Sequence, residues 1–214
     1  MELVQENIVL TARHVNVHIF TQIWLHHQGI VLENEYAAPM IFTPAIIQIV
    51  TPQFQMTVVE ERIQFVPLGE EPARAQLILD RLGRLVNALP HTPYQALGLN
   101  FSWHHTPTPT APIEVLGRRL FLKQDSALAH AFDGNDAKFG AYYSKNVFGG
   151  FRCKLSTLPI DVLQEDGSTQ ERLQFSFNYH LAAATPDEIV GALGHWDEAK
   201  RHAHALIASI EDVI

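Results

Sequence analysis

The sequence is poor in the features that usually reveal a protein's chemistry. Cys153 is the only cysteine among the 214 residues, so these residues form neither an intrachain disulfide nor a cysteine-based zinc site. Cys153 alternates with Phe151 and Leu155, which predicts a small buried side chain on a strand rather than a nucleophile. Hydrophobic residues make up 47% and charged residues 18%. This balance is typical of a chain with a packed core.

Long apolar runs are also missing. The longest, residues 39–50, is interrupted by Thr43, Pro44 and Gln48, and it falls short of the roughly 18 apolar residues that a membrane span needs. The first 15 residues lack a basic segment followed by an unbroken apolar run, so they do not resemble a signal peptide. From these absences we expect a cytoplasmic protein that does not enter the membrane.

Motifs for hydrolysis, phosphate binding or metal binding are absent as well. The sequence contains no Gly-x-Ser-x-Gly, no His-Glu-x-x-His and no glycine-rich phosphate loop. Its twelve histidines suggest a metal, but His14 and His18 would lie about 13 Å apart on a strand. On the predicted last helix, His195, Glu198 and His202 share a face without a full ligand set. We therefore predict no catalytic residue, no metal and no cofactor.

The charge is unevenly distributed along the chain. A formal net charge of −8 argues against general nucleic-acid binding. Residues 118–154 nevertheless contain seven basic residues against three acidic ones, whereas residues 186–214 contain six acidic residues against two basic ones. The basic stretch is interleaved with aromatic residues. It predicts either a hairpin (138–154) that holds an anionic ligand or acidic partner, or complementarity with the acidic helix within or between subunits.

The first 92 residues predict several strands followed by a helix. Alternation or β-branched enrichment indicates strands within 14–20, 22–32 and 40–51, and Glu60-Glu61 separates two segments that fit a tight hairpin. A helix follows, because apolar residues recur with helical spacing at Ile78, Leu82, Leu85 and Leu89.

The middle of the chain predicts further short elements. Residues 94–103 are typical of a buried strand, and residues 116–122 resume a strand pattern after a proline-rich loop. Asp125 or Ser126 fits the N-cap of a short helix that extends to Phe132. The sequence Asp-Gly-Asn-Asp that follows predicts a turn at the end of this helix.

The last third gives the clearest local signals. Gly149-Gly150 and Asp166-Gly167 mark the turns of a three-stranded antiparallel meander. Its final strand alternates an apolar face with a polar face that needs water or a partner, formed by Gln174, Ser176, Asn178 and His180. Thr185 then fits the N-cap of a long amphipathic helix over residues 186–212, with Pro186 at its first position and Glu188 completing a capping box.

These elements predict an α+β protein built on antiparallel sheets. Each run of strands is closed by a helix, and the last helix packs on the meander. The chain reads twice as strands followed by a helix, which suggests a structural pseudo-repeat. We expect residues 1–214 to form one compact domain, with two intertwined halves (1–92 and 93–214) as the alternative.

Three functions remain open at this point. The first is a non-catalytic binding or interaction module that recognises an unknown protein partner or self-associates through sheet edges or the long helix. The second is an enzyme whose site converges from scattered residues, drawn from Trp103, His104, His105, Tyr142 and His180. The third is an anion-binding module that uses the basic aromatic hairpin. The candidate binding residues are Trp103, His104, Tyr142, Lys145, Arg152 and His180.

Overall fold

The fold is described by a computed structural model that covers residues 1–36, 39–110, 112–123, 125–131 and 140–211. Nine strands of this part of the chain form one sheet. In chain order they are β1 (Glu2–Ala12), β2 (Ile41–Phe42), β3 (Ile47–Val50), β4 (Phe54–Val59), β5 (Arg62–Pro67), β6 (Tyr94–His105), β7 (Tyr142–Phe148), β8 (Phe151–Leu163) and β9 (Thr169–Ala182).

The sheet is antiparallel throughout, with the strand order β2-β3-β4-β5-β1-β6-β9-β8-β7. The predicted α+β class is therefore confirmed. The hairpin at Glu60-Glu61 is confirmed as β4–β5, and the meander as β7–β8–β9. The chain builds one sheet where we expected several, because β1 pairs with β5 on one side and with β6 on the other. The pseudo-repeat remains a prediction.

The described helices are α1 (Gln22–His27), α2 (the consecutive segments Arg74–Ile78, Leu79–Gly83 and Arg84–Ala88), α3 (Ile113–Phe121), α4 (Ala127–Ala131), α5 (Pro186–Leu193) and α6 (Trp196–Glu211). The middle segment of α2 is a π-helical turn. The predicted apolar stripe of α2 is buried. No helix in the described ranges is long and apolar enough to span a bilayer.

Helix side chains reach one face of the sheet, which we call the helix face. The ring of Trp196 on α6 lies 4.7 Å from that of Phe101 on β6, and His202 on α6 contacts Tyr179 on β9. Phe121 on α3 lies 6.4 Å from Phe175 on β9. Phe101, Phe175 and Tyr179 are all buried, and they point to the same side because paired residues and every second residue of a strand share a face. The hydrophobic core lies between this face and the helices.

Two predicted strands near the N-terminus are wrong. Residues 14–20 contain only a 3₁₀ turn at Val17–Ile19, and Val15 and Val17 are buried from a loop rather than from a ladder. Residues 22–32 contain helix α1, because the Thr21 hydroxyl accepts a hydrogen bond from the Trp24 backbone N–H (3.2 Å) and caps a helical turn. Residues 40–51 do form strands, but only the short β2 and β3.

The predicted strand at residues 116–122 is also wrong, because this segment belongs to helix α3. Ile113 and Leu116 are buried three residues apart, which is the spacing of one face of a helix and not of one face of a strand. Ser126 caps α4 as predicted, since its hydroxyl accepts from the Ala129 N–H (3.2 Å). The turn at residues 133–136 and Phe132 lie outside the described residues.

The long C-terminal helix is in fact two helices, α5 and α6. The capping box at its start is confirmed, because Thr185 accepts from the Glu188 N–H while Glu188 accepts from the Thr185 N–H. The break comes at Gly194, where the His195 N–H bonds to the Ala192 carbonyl at 3.1 Å, a tighter turn than the α-helix makes. The buried stripe nevertheless continues across the break into Trp196. Residues 212–214 lie outside the described residues.

One irregularity in β1 changes which side chains face the helices. Leu3 pairs with Trp103 and Gln5 pairs with Ser102, so Val4 is an extra residue opposite β6. This bulge places Glu2 and Gln5 on the same face of the sheet, and Leu3 and Glu6 on the other.

Candidate functional site, the polar face of the sheet

The second face of the sheet, opposite the helices, is lined by polar side chains. Cross-strand pairing fixes its members, because directly paired residues share a face. On the five adjacent strands β1, β6, β9, β8 and β7 it consists of Glu2, Gln5, Asn7, Val9, Thr11, Ala96, Gly98, Asn100, Ser102, His104, Tyr143, Lys145, Val147, Arg152, Lys154, Ser156, Leu158, Ile160, Val162, Gln170, Arg172, Gln174, Ser176, Asn178, His180 and Ala182. We call this surface the polar face.

The polar face is basic although the chain is acidic. With Arg62 on β5, it carries five cations, and Glu2 is the one carboxylate among its described strand residues. This formal charge of +4 contrasts with −8 for the whole chain. Arg172 is paired with Glu2 (3.3 Å). The negative charge is therefore concentrated away from this face.

Three of the cations cluster at one end of the polar face, and we call Lys145, Arg152 and Lys154 the basic corner. Lys145 and Lys154 are directly paired on β7 and β8. Arg152 is two residues from Lys154 on β8, so its side chain lies next to that of Lys154 on the same face. The Lys154 ammonium lies 4.9 Å from the centroid of the Tyr143 ring, a cation–π contact that holds it on the sheet. Lys145 and Arg152 are exposed.

A histidine borders the basic corner. His180 on β9 is directly paired with Arg152. Burial lowers the pKa of His180, and the nearby positive charge of Arg152 lowers it further. At neutral pH the imidazole is therefore uncharged, and it offers a hydrogen-bonding group beside the guanidinium rather than another cation.

A row of amides crosses the middle of the polar face. Asn178 Nδ2 donates to Asn100 Oδ1 (2.7 Å), and Asn100 Nδ2 donates to Asn7 Oδ1 (2.9 Å). The row leads to Lys154, the residue paired with Asn178 on β8. Gly98 leaves room for it, because a Cβ atom at this position would lie 3.1 Å from Asn178 Nδ2.

Hydroxyl and amide groups continue this ordered surface. The hydroxyls of Ser102 and Ser176 lie 3.1 Å apart, and Gln174 Nε2 donates to Ser176 Oγ (3.0 Å). His104 Nε2 donates to Gln174 Oε1 (3.1 Å). The polar side chains of three adjacent strands thus hold one another in fixed positions, which lowers the entropy lost when a partner binds.

The structure separates the six predicted site residues into two groups. Lys145, Arg152, His180 and His104 lie on the polar face. His104 is paired with Gln174, which is six residues from His180 on β9. The two histidines are therefore about 20 Å apart along the strands, and His104 does not join the basic corner. The remaining two, Tyr142 and Trp103, lie on the helix face.

Tyr142 and Trp103 have structural surroundings. The Tyr142 ring stacks on that of Phe121 on α3, with centroids 4.2 Å apart. Trp103 is 2% exposed, and its ring meets that of Phe177 edge-on at 5.6 Å. Tyr142 thus packs against α3 and Trp103 is part of the core, whereas Tyr143, which we did not predict, is the aromatic residue of the basic corner.

Trp103 also borders a cavity of about 720 Å³ on the helix face, which the sequence did not indicate. Lys200 on α6 lines it and bonds to Glu6 Oε2 (2.7 Å) and to Glu71. Arg74 contacts the other oxygen of Glu6. The cationic side chains nearest the core are thus neutralised by carboxylates. None of the other predicted site residues lines this cavity.

The residues of the catalytic alternative are divided between the two faces of the sheet, with His104 and His180 on the polar face and Trp103, His105 and Tyr142 on the helix face. Cys153 is buried, and burial raises the pKa of its thiol, so the nucleophilic thiolate is disfavoured. Its neighbour Tyr179 forms a hydrogen bond to His202 Nδ1 (2.7 Å), so His202 is not available to a metal through that nitrogen. The described residues contain no group of three potential ligands.

Comparisons of the chain with protein-family models, with curated proteins and with solved structures give no match. The functional argument therefore depends on the surfaces of this molecule alone.

Proposed function

We propose that the protein is a non-catalytic binding module that holds an acidic polypeptide partner on the polar face, at the basic corner. The observation that carries this proposal is the charge of that face, five cations against one carboxylate in a chain of net charge −8. Such local complementarity steers an acidic partner to one surface and suppresses other orientations.

The shape of the surface supports a polypeptide rather than a small anion. The basic corner lies on a broad pleated surface at the edge of the sheet, and small-molecule sites are usually concave. The neighbouring amides and hydroxyls are fixed by mutual hydrogen bonds, so they present donors and acceptors to backbone or side-chain groups of a partner.

Nucleic acid is a poorer candidate for this surface. Sheets that bind single strands stack bases on aromatic rings. Among the polar-face residues named above, Tyr143 is the one phenol or phenyl ring, and the Lys154 ammonium lies over it.

A charge-reversal series tests the proposal. Labelled poly-glutamate of about 20 residues is titrated with the wild-type protein and with Arg152→Glu and Lys154→Glu, and binding is followed by fluorescence anisotropy. We expect each variant to weaken binding about tenfold, and we expect wild-type binding to weaken as NaCl is raised from 50 to 300 mM.

Arg201→Glu is the matched control, since Arg201 is an exposed cation on α6, on the other side of the sheet. It alters the net charge equally and should leave binding within about twofold of wild type. Absence of binding at 50 mM NaCl, or an equal loss in the Arg201→Glu variant, would overturn the proposal.

A further inference from the structure

Strand β7 lies at the edge of the sheet and pairs on one side only, with β8, among the described strands. It contains no proline and no register shift over Tyr142–Phe148. An edge of this kind is a template for a further strand. Two of its large apolar side chains are prominently exposed, Tyr143 at 59% and Val147 at 75%.

The turn between β7 and β8 determines which backbone groups of β7 are free to pair. Gly149 and Gly150 both have positive φ, 53° and 84°, which defines a two-residue type I′ turn. In such a hairpin the flanking pair Phe148–Phe151 is hydrogen-bonded, and hydrogen-bonded and non-bonded pairs then alternate. The backbone N–H and C=O groups of Tyr143, Lys145 and Val147 therefore point outward from the sheet.

One of these outward groups is already used within the chain. The Val147 N–H donates to the side-chain Oδ1 of Asn146 (2.8 Å). The N–H groups of Tyr143 and Lys145 thus remain the outward donors of the edge, and they lie beside the positive charges of the basic corner.

We propose that β7 accepts an extended acidic peptide as a tenth strand, whose acidic side chains lie on the polar face beside Lys145 and Lys154. This inference rests on the proposed function and specifies how the partner is held. Backbone hydrogen bonds to Tyr143 and Lys145 provide the pairing, and alternate side chains of the peptide provide the charge complementarity.

The geometry of the edge favours peptides in which acidic and apolar residues alternate. Side chains of an added strand alternate between the two faces of the sheet. Every second residue therefore lies on the polar face, in the row of Tyr143, Lys145 and Val147, and an acidic residue there meets Lys145. The intervening residues lie on the helix face beside Phe148, which stacks on His202 with centroids 4.0 Å apart.

A second copy of this chain is a less suitable occupant of the edge. Lys145 is the central residue of Tyr142–Phe148, so a two-fold symmetric antiparallel pairing of two β7 strands places the two Lys145 side chains opposite each other. Like charges at directly opposed positions are destabilising. Lys154 of each copy adds a further cation behind this pair.

The test uses three labelled eight-residue peptides and the full chain. In the first peptide glutamate alternates with valine, in the second lysine replaces glutamate, and in the third the glutamate–valine sequence carries a methyl group on every backbone nitrogen. We expect the first to bind, the lysine peptide not to bind, and the N-methylated peptide to bind at least tenfold more weakly, because it keeps the charges but has no backbone N–H to donate to a strand ladder.

Matched variants at Tyr143 separate pairing from charge. Tyr143→Pro removes one outward N–H without removing a β7–β8 hydrogen bond, whereas Tyr143→Thr keeps that N–H and also lacks the ring. We expect Tyr143→Pro to bind the glutamate–valine peptide about tenfold more weakly than Tyr143→Thr. Circular dichroism and the melting temperature of both variants check that they fold alike.

Amide hydrogen exchange by NMR gives a readout that charge alone does not affect. Bound glutamate–valine peptide should slow exchange at Tyr143 and Lys145 at least tenfold and leave Ser144 unchanged, since its N–H is already bonded to β8. Equal binding of the glutamate–valine peptide and its N-methylated form, without this protection, would overturn strand addition while leaving the proposed function intact. A dimer of the free chain that slows exchange at Tyr143 and Lys145 without peptide would instead favour the second copy, and failure of every acidic probe to bind would reject both proposals.

Discussion

Lys145 and Lys154 face each other across β7 and β8 as a non-hydrogen-bonded pair, the arrangement in which cross-strand side chains come closest. Two like charges at such positions reduce the stability of the free protein. Their juxtaposition is readily explained if the pair serves an anionic partner, because stability is commonly lost at binding surfaces in favour of function. Stability and binding should therefore respond in opposite directions to a change at this pair.

Replacing one lysine of the pair tests this opposition. Lys145→Glu converts a repulsive pair into an attractive one, and we expect the free energy of unfolding to rise by about 0.2–1 kcal/mol at low salt. Poly-glutamate binding should weaken in the same variant. Urea unfolding at 20 and 300 mM NaCl measures the first effect, and Lys145→Gln should give an intermediate value. A destabilised Lys145→Glu protein would contradict this account.

The amide row of the polar face predicts a cost at Gly98. In Gly98→Ala the new Cβ would lie 3.1 Å from Asn178 Nδ2, so the amide has to move and its 2.7 Å bond to Asn100 is weakened. We expect a loss of about 1 kcal/mol in the free energy of unfolding, measured by urea denaturation. In an Asn178→Ala background the same substitution should cost less, because the crowded group is gone.

Gly191 offers a matched control for the change from glycine to alanine. It lies within α5, and an added Cβ there has no atom within 4 Å. Gly191→Ala should therefore stabilise the protein by about 0.5–1 kcal/mol, since alanine favours a helix interior. If Gly98→Ala were equally stabilising, the crowding at Asn178 would be irrelevant.

The ion pairs of the helix face should differ sharply in their contributions. The side chain of Glu6 is 9% exposed and contacts both Lys200 and Arg74. Glu6→Ala leaves these two partly buried cations with Glu71 as their remaining carboxylate, and we expect a loss of about 1–3 kcal/mol. Glu60, which pairs with His14 on the surface, has a 73% exposed side chain. Its replacement by alanine should cost less than about 1 kcal/mol. Thermal unfolding of both variants makes the comparison, and similar losses would contradict it.

His202 should make the protein less stable in mild acid. Burial between Phe148 and Tyr179 lowers the pKa of this imidazole, so the unfolded chain takes up a proton more readily than the folded one. The stability is fully present above the usual histidine pKa, about 6.5, and is lost as the pH falls through the lower folded value. Each such histidine contributes at most about 1.4 kcal/mol per pH unit.

Urea unfolding between pH 7.5 and 5.5 measures this effect. We expect His202→Gln to reduce the loss of stability over this range. The loss that remains in this variant is expected from His105 and His180, whose pKa values are also lowered. The carboxylates with lowered pKa values, Asp166 and Glu188, titrate below this range. An unchanged pH dependence in His202→Gln would show that its environment does not disfavour the charged form.

Local signals in the sequence were sufficient for part of the fold. Glycine pairs and a capping box act over a few residues, and the structure places both hairpin turns and the start of α5 where these signals predict them. Short apolar segments were misassigned because a segment of seven residues, such as 116–122, can fit both the period of two that is typical of a strand and the spacing of three to four residues that is typical of a helix. The position of β1 between β5 and β6 depends on pairing over many residues, which no local pattern specifies.

The candidate site was only partly predictable for the same reason. The alternation in the last strand indicated its polar face, and the basic aromatic hairpin was found from composition. Which neighbour of a pair such as Tyr142 and Tyr143 belongs to that face depends on the register with β8. The contributions of Asn7 and Asn100 require two further strand pairings, so the sequence alone did not indicate them.

The bulge at Val4 has a consequence for how the first strand tolerates length changes. Removing this one residue would leave Glu2 opposite His104 and Leu3 opposite Trp103, so strict alternation would run through the strand and each side chain would keep its face. Arg172 would keep its carboxylate partner Glu2. Loss of Val4 therefore removes only the irregularity, whereas deletion of a regularly paired residue such as Val9 would shift the register and move the side chains on one side of it to the opposite face.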